Sequence, residues 1–166
     1  ITAGVELVRR AEGAKVHALS TPLITKADGT KFGKSTGGAL WLDPEMLSPY
    51  AFYQTWIQAE DTKVVEYLRQ FTFLDLEEID AIAAESAEKP GLRIAQRRLA
   101  AEATAMVHGP DEVRAAEQAS AALFGRAELV DLPTSTLRAA LSEAGLVSVP
   151  AGTTIVDALT AAGLVD

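Results

Sequence analysis

The sequence predicts a mainly α protein with a short strand-and-loop portion near its N-terminal end. From Asp43 onward apolar residues recur at helical spacing. Pro49, Pro90-Gly91, Gly109-Pro110 and Gly125 cut that pattern into helix-length pieces. Only residues 16–25 read as a strand. With 166 residues and 48% hydrophobic content, the chain has material for one ordinary domain or two small ones.

The first stretch, ITAGVELVRRAEG, is a helix with Val5, Leu7 and Val8 as its apolar residues and Gly13 as its stop. Arg9 and Arg10 fall near its C-terminal end, where cations oppose the negative pole of the helix dipole. The chain opens on Ile1 rather than Met, so it reads as a cut piece. VHALSTPLIT, Val16 to Thr25, is a short apolar run with a β-branched end, and Lys26-Ala27-Asp28-Gly29 after it is a turn signal. A loop follows through Gly38, basic and rich in glycine.

Helices then succeed one another. Ser48-Pro49 is a cap followed by proline at the first helical position, with Phe52, Tyr53, Trp56 and Ile57 on one wide apolar face. Asp61 or Thr62 caps the next helix, which turns Val64, Val65 and Leu68 inward and is closed by Phe71, Phe73 and Leu74. Asp75 and Glu78 form a capping-box pattern ahead of Ile79, Ile82 and Ala83. After Pro90-Gly91, a helix carrying Leu92, Ala95, Leu99, Ala103, Met106 and Val107 runs to Gly109-Pro110, and another runs from Val113 to Phe124. Eight of the ten aromatic residues lie between Trp41 and Phe73, which places the tightest packing there. In the tail, residues 140–147 are echoed at 158–165, and two short glycine-ended helices explain the echo without a repeat architecture. Pro133 and Pro150-Ala151-Gly152 mark linkers.

The net charge of −8 excludes a uniformly basic, sequence-blind nucleic-acid binder. Its distribution is uneven: residues 1–36 carry +3, 37–88 carry −9, 89–126 carry +2 and 127–166 carry −4. Two basic stretches flank an acidic one, the pattern of a protein that meets an anion on particular faces. Absence of Cys excludes disulfides, a thiolate nucleophile and Cys-based zinc sites, and His17 and His108 are too far apart for a local metal pair. No apolar run approaches the length of a membrane span and no signal peptide opens the chain, so a cytoplasmic protein with no membrane partner is expected.

Gly33-Lys34-Ser35 invites comparison with a phosphate-binding P-loop, but the motif needs glycine where Asp28 stands, and Gly37-Gly38 follow where a helix must open. The stretch Lys31-Phe32-Gly33-Lys34-Ser35 instead resembles the KMSKS signature of class I aminoacyl-tRNA synthetases. Its surroundings, Pro22 to Thr30 before it and Leu42-Asp43, Ser48-Pro49-Tyr50, Phe52-Tyr53-Gln54, Trp56 and Tyr67 to Leu74 after it, are similar to bacterial tyrosyl-tRNA synthetases. The resemblance is close from Ile1 to about Phe124 and looser beyond.

This resemblance implies the carboxy-terminal part of such an enzyme. Residues 1–40 are then the end of a Rossmann-like α/β nucleotide-binding catalytic domain with the signature loop. Residues 41–130 are a helical tRNA anticodon-arm domain, and residues 131–166 a linker and the first helix of an S4-like RNA-binding domain. ATP is the implied substrate, with Mg2+ on its phosphates and no protein-bound metal. Tyrosine and tRNA(Tyr) are the other implied partners, and a homodimer would form through the catalytic domain. Lys34 is implied as the catalytic cation with Lys31 in support, and Lys31, Phe32, Gly33, Lys34 and Ser35 as the ATP-binding loop. Phe32 replaces the usual Met and Gly33 the usual Ser, so a contact through that serine is not carried over.

Arg93 and Arg97 lie one helical step apart beside Lys89 and Arg98, a cluster suited to RNA phosphates, although Glu102 at i+4 can neutralise Arg98. The resemblance also places Arg9 and Arg10 toward the tRNA acceptor arm. The competing reading is a helical interaction module without nucleotide or RNA role, its partner surface being the acidic 37–88 region. A tryptophanyl-tRNA synthetase is a further alternative.

Overall fold

The computed structural model describes residues 1–33, 39–123, 134–141 and 147–165. They belong to two units, Ile1–Gly38 and Ala39–Asp166.

In the first unit, α1 (Thr2–Glu12) ends at Gly13, whose left-handed φ of 62° is the conformation a glycine stop supplies. Val5 and Val8 are half-buried and no residue of α1 is fully buried. The run Val16–Thr25 is not a strand. An extended run becomes a strand only by pairing, and its one β contact among the described residues is the isolated antiparallel bridge Thr25–Lys31. A tight turn joins these residues. Lys26 N–H donates to Thr30 O at 2.9 Å and Phe32 N–H to Ile24 O at 3.1 Å. Asp28 Oδ1 accepts from both the amide and the hydroxyl of Thr30, at 2.9 and 2.6 Å. Those Thr30 bonds hold the Asp28 carboxyl below its ordinary pKa.

The second unit is a helical bundle of α2 (Pro49–Ile57), α3 (Asp61–Phe71), α4 (Leu76–Glu88), α5 (Ile94–His108) and α6 (Pro110–Leu123), with α7 (Thr134–Leu141) and α8 (Ile155–Ala161) in the tail. Helix α5 packs on α2, α3, α4 and α6, and α7 packs on α2 and α6. Ala95, Leu99 and Ala103, at i, i+4 and i+8 on α5, are buried. Small side chains opposite them, Ala116, Ala119 and Ala122 of α6, are buried as well, so the two helices approach closely. Aromatic rings fill the α2–α3 side. Trp56 meets Phe71 with centroids 4.9 Å apart and Tyr67 at 6.3 Å, and Phe52 meets Trp56 edge-on at 6.1 Å.

Several sequence expectations need correction. Ser48 caps α2 as expected, its Oγ accepting from Ala51 N–H at 3.2 Å. The cap position of α3, however, is Glu60, with no side-chain bond, because Asp61 turns its carboxylate to the side-chain amide of Gln96. Asp75 occupies the cap position of α4 but its side chain makes no capping bond. Phe73 does not close α3: it follows the helix end and stands 92% exposed. Leu92 lies in a single 3-10 turn (Pro90–Leu92), and Met106 and Val107 at the far end of α5 are exposed, about two turns beyond Leu99. Helix α6 begins at Pro110 rather than Val113, since proline is suited to the first helical position.

His108 ends α5 with its ring edge-to-face on Phe52, centroids 5.0 Å apart. Burial pushes its pKa below the ordinary 6.5 and outweighs the opposing pull of the Glu112 carboxylate. The unfolded imidazole therefore binds a proton that the folded one resists, so stability is full above about pH 6.5 and declines as pH falls through that value toward the folded pKa. Denaturation between pH 5 and 7.5 should show wild type losing more stability on acidification than His108→Gln, and parallel losses would refute this role.

Candidate nucleotide loop and basic surfaces

Of the five residues of the signature-like loop, Lys31, Phe32 and Gly33 are described, whereas Lys34 and Ser35 lie outside the described residues. The turn from Ile24 to Phe32 presents them. Lys31 is fixed by its bridge to Thr25 and is exposed, and Phe32 is half-buried. Gly33 has φ 74°, in the left-handed region that strains an L side chain, while a Cβ there would meet nothing within 4 Å. Backbone conformation, not crowding, explains glycine at this position.

Arg9 and Arg10 converge on one carboxylate. Arg9 donates to Glu6 from Nε at 2.9 Å and Nη2 at 2.7 Å, and Arg10 from Nε at 2.7 Å. First Arg9 and then Arg10 holds the Glu6 carboxyl below its ordinary pKa. The three side chains together carry one net positive charge on an exposed helix end.

The three arginines of the α5 region are in different situations. Arg93 precedes α5 with a left-handed φ of 51°, the one non-glycine residue with positive φ among those described. Its guanidinium donates to the carbonyls of Ile57 at 2.6 Å and Ala59 at 3.5 Å, satisfying groups orphaned at the end of α2. Arg98 pairs with Glu78 of α4 at 2.7 Å and Glu102 at 2.9 Å. Arg97 is exposed, and its side chain makes no hydrogen bond or ion pair to another described residue. Spacing showed the Glu102 pair. It could not show Glu78, which reaches Arg98 only because α4 packs on α5.

Two features escaped the sequence reading. Gln96, 2% exposed, joins the Ala59 carbonyl at 3.3 Å and the Asp61 carboxylate, tying α5 to the α2–α3 corner. Its signal, a polar residue inside an apolar stripe, was present but carried no partner. The second is a groove of about 280 Å³ between α2, α5 and α6, bordered by Tyr53, Ile57, Arg97, Glu117, Ser120 and Ala121. Among the described residues no group of three or more His, Asp or Glu side chains could hold a metal ion, and no helix is long and apolar enough to cross a membrane.

The family model described as tRNA synthetases class I (W and Y) matches residues 1–125. The chain is 52% identical over 168 residues to the tyrosine–tRNA ligase of Acidothermus cellulolyticus, covering 100% of this chain and 39% of that protein. It is 56% identical over 173 residues to the tyrosine–tRNA ligase of Nocardia farcinica, covering 100% of this chain and 40% of that one. A crystal structure of a C-terminally truncated mitochondrial tyrosyl-tRNA synthetase from Coccidioides posadasii aligns with a TM-score of 0.51 at 37% identity, over 59% of this chain and 25% of that chain. The chain thus spans about 40% of the length of the curated relatives it matches.

Proposed function

Since the chain belongs to the class I tRNA synthetases of the tryptophan and tyrosine type, we propose that it is part of a tyrosine–tRNA ligase, which activates tyrosine with ATP and transfers it to tRNA(Tyr). The observation that carries this is the match over the whole of this chain, at more than half identity, to proteins named tyrosine–tRNA ligase. A family match over residues 1–125 leaves the helical interaction module without support, because that span includes the loop and the bundle alike.

In this reading residues 1–40 complete the nucleotide-binding catalytic domain, 41–130 contact the anticodon arm and 131–166 begin the S4-like module. The enzyme would work in the cytoplasm as a homodimer joined through the catalytic domain. The uncovered Leu7, Leu19 and Leu23 of the first unit fit a piece that packs against further protein.

In activation a tyrosine carboxylate oxygen attacks the ATP α-phosphate and pyrophosphate leaves, so charge grows on the leaving group as the bond breaks. Lys34 is the cation assigned to that charge and Lys31, held at the edge of the turn, its support. Ser35 offers a hydroxyl to the phosphates, and Gly33 supplies the left-handed bend between the lysines. Mg2+ arrives with ATP as part of the substrate. The test is pyrophosphate exchange by the full-length enzyme. Exchange dependent on tyrosine supports the reading, and exchange dependent on tryptophan transfers it to the sister specificity.

A further inference from the structure

Asp28-Gly29 is the only Asp-Gly pair in the chain, and the chain contains no Asn. The amide nitrogen that follows the Asp28 carboxyl therefore belongs to a glycine, with no side chain to screen it. A protonated Asp28 can then react with its own backbone. The Gly29 nitrogen attacks Asp28 Cγ, the carboxyl hydroxyl leaves with the amide proton as water, and a five-membered succinimide closes. Water reopens the ring on either side. Breaking the new bond to Cγ restores aspartate. Breaking the original peptide bond leaves an isoaspartyl link, with Cβ and Cγ in the main chain and the former carbonyl carbon as a free carboxylate.

The turn keeps these atoms from reacting. Asp28 Oδ1 accepts from the Thr30 amide at 2.9 Å and the Thr30 hydroxyl at 2.6 Å, which favours the ionised carboxyl and directs it toward residue 30. The Gly29 N–H is engaged by the Lys26 carbonyl at 3.0 Å. Asp28, Gly29 and Thr30 are all exposed, so solvent reaches the pair and these local bonds restrain it.

The consequence falls on the signature loop. The pair lies inside the turn closed by the Thr25–Lys31 bridge and by the Phe32 N–H bond to Ile24 O at 3.1 Å. An isoaspartyl link adds one main-chain carbon within that closed turn and takes the carboxylate away from its place beside Thr30. Lys31 and Gly33 then lose the turn that presents them.

We propose that Asp28-Gly29 is a site of spontaneous isoaspartyl modification, held back in the folded chain by the Thr30 latch and disabling to the signature loop once formed. Water is the only co-reactant. The modification follows from the turn itself, whereas its effect on catalysis rests on the tRNA-ligase reading.

The experiment incubates the full-length enzyme for days at neutral pH in heavy-oxygen water, with tyrosine-dependent pyrophosphate exchange and thermal unfolding measured alongside. In peptide maps, heavy oxygen at residue 28 reports ring opening by water, and the isoaspartyl peptide separates chromatographically from its aspartyl isomer of equal mass. Wild type should acquire label and isoaspartate slowly at Asp28. Thr30→Val removes the 2.6 Å bond and keeps the β-branched shape, so it should acquire them about threefold faster or more. Thr30→Ser, which keeps the hydroxyl, should age like wild type. Asp28→Glu should form no such product, because the ring it would need has six members and closes far more slowly. Exchange should fall in step with the isoaspartyl fraction, and Asp28→Glu should hold its own initial rate over the same period. Absence of label at Asp28 in both wild type and Thr30→Val overturns the proposal, as do equal rates in those two or Thr30→Ser ageing like Thr30→Val. Undiminished exchange by isoaspartyl-bearing enzyme, or equal decline in Asp28→Glu, overturns the effect on the loop. Fresh wild type without tyrosine-dependent exchange would instead remove the ligase reading, and the heavy-oxygen map would still decide the modification.

Discussion

Replacing Lys34 by Ala in the full-length enzyme should lower the rate of tyrosyl-adenylate formation by about 10²–10³-fold, the usual cost of losing one preorganised donor to a developing charge. ATP affinity should change far less. Bound ATP already spreads its charge over metal and solvent, whereas the leaving pyrophosphate gains charge only as the bond to the α-phosphate breaks. A cation that meets the second and not the first raises the rate without deepening the ground state. Pre-steady-state kinetics separate the two quantities, and a loss lying wholly in ATP affinity would make Lys34 an ordinary phosphate contact. Lys31→Ala should have a smaller effect in the same direction. Its backbone remains tied to the Thr25 turn, so the substitution removes charge without releasing the loop base.

The helices were readable because their signals are local. Ser48-Pro49, Gly13 and Gly109 act within one turn of chain, and each stands at a helix boundary in the structure. The strand assigned to Val16–Thr25 failed for the opposite reason: alternation and β-branching describe a segment's suitability for a sheet, while the partner strand is a long-range matter. Asp61 shows the same limit at a single side chain. Its sequence position suits a cap, but Gln96, 35 residues away, offers a buried amide and takes the carboxylate.

The basic cluster was the least legible feature. Arg93, Arg97 and Arg98 are equivalent by spacing, yet packing makes one a clamp on the α2 carbonyls, one a member of a three-residue ion network and one a cation without an ion pair among the described residues. Charge arithmetic along the chain cannot make this division, because the Ile57 carbonyl that takes Arg93 comes from α2 and the second carboxylate on Arg98, Glu78, comes from α4. Lys31 and Gly33 are described and stand at the end of the turn, while Lys34 and Ser35 rest on the motif alone.

The largest effect is expected when the 166 residues are isolated from the rest of the enzyme: pure chain should give no tyrosine-dependent pyrophosphate exchange. Residues Lys31 to Ser35 resemble the second class I signature, but the sequence contains no HIGH-type histidine motif. A lysine that stabilises a leaving group is effective only when the attacking carboxylate and the α-phosphate are already held in line. Orientation of that kind is worth effective molarities of about 10⁵–10⁸ M, and a loop lysine cannot replace it. Folding of the bundle should be independent of this loss, since its core of Phe52, Trp56, Leu68, Ile79 and Leu99 lies wholly within residues 39–166. Circular dichroism of the same sample then separates an inactive folded chain from an unfolded one. A helical, cooperatively melting sample without exchange is the expected outcome, and exchange by that sample would mean that this segment itself orients tyrosine and ATP.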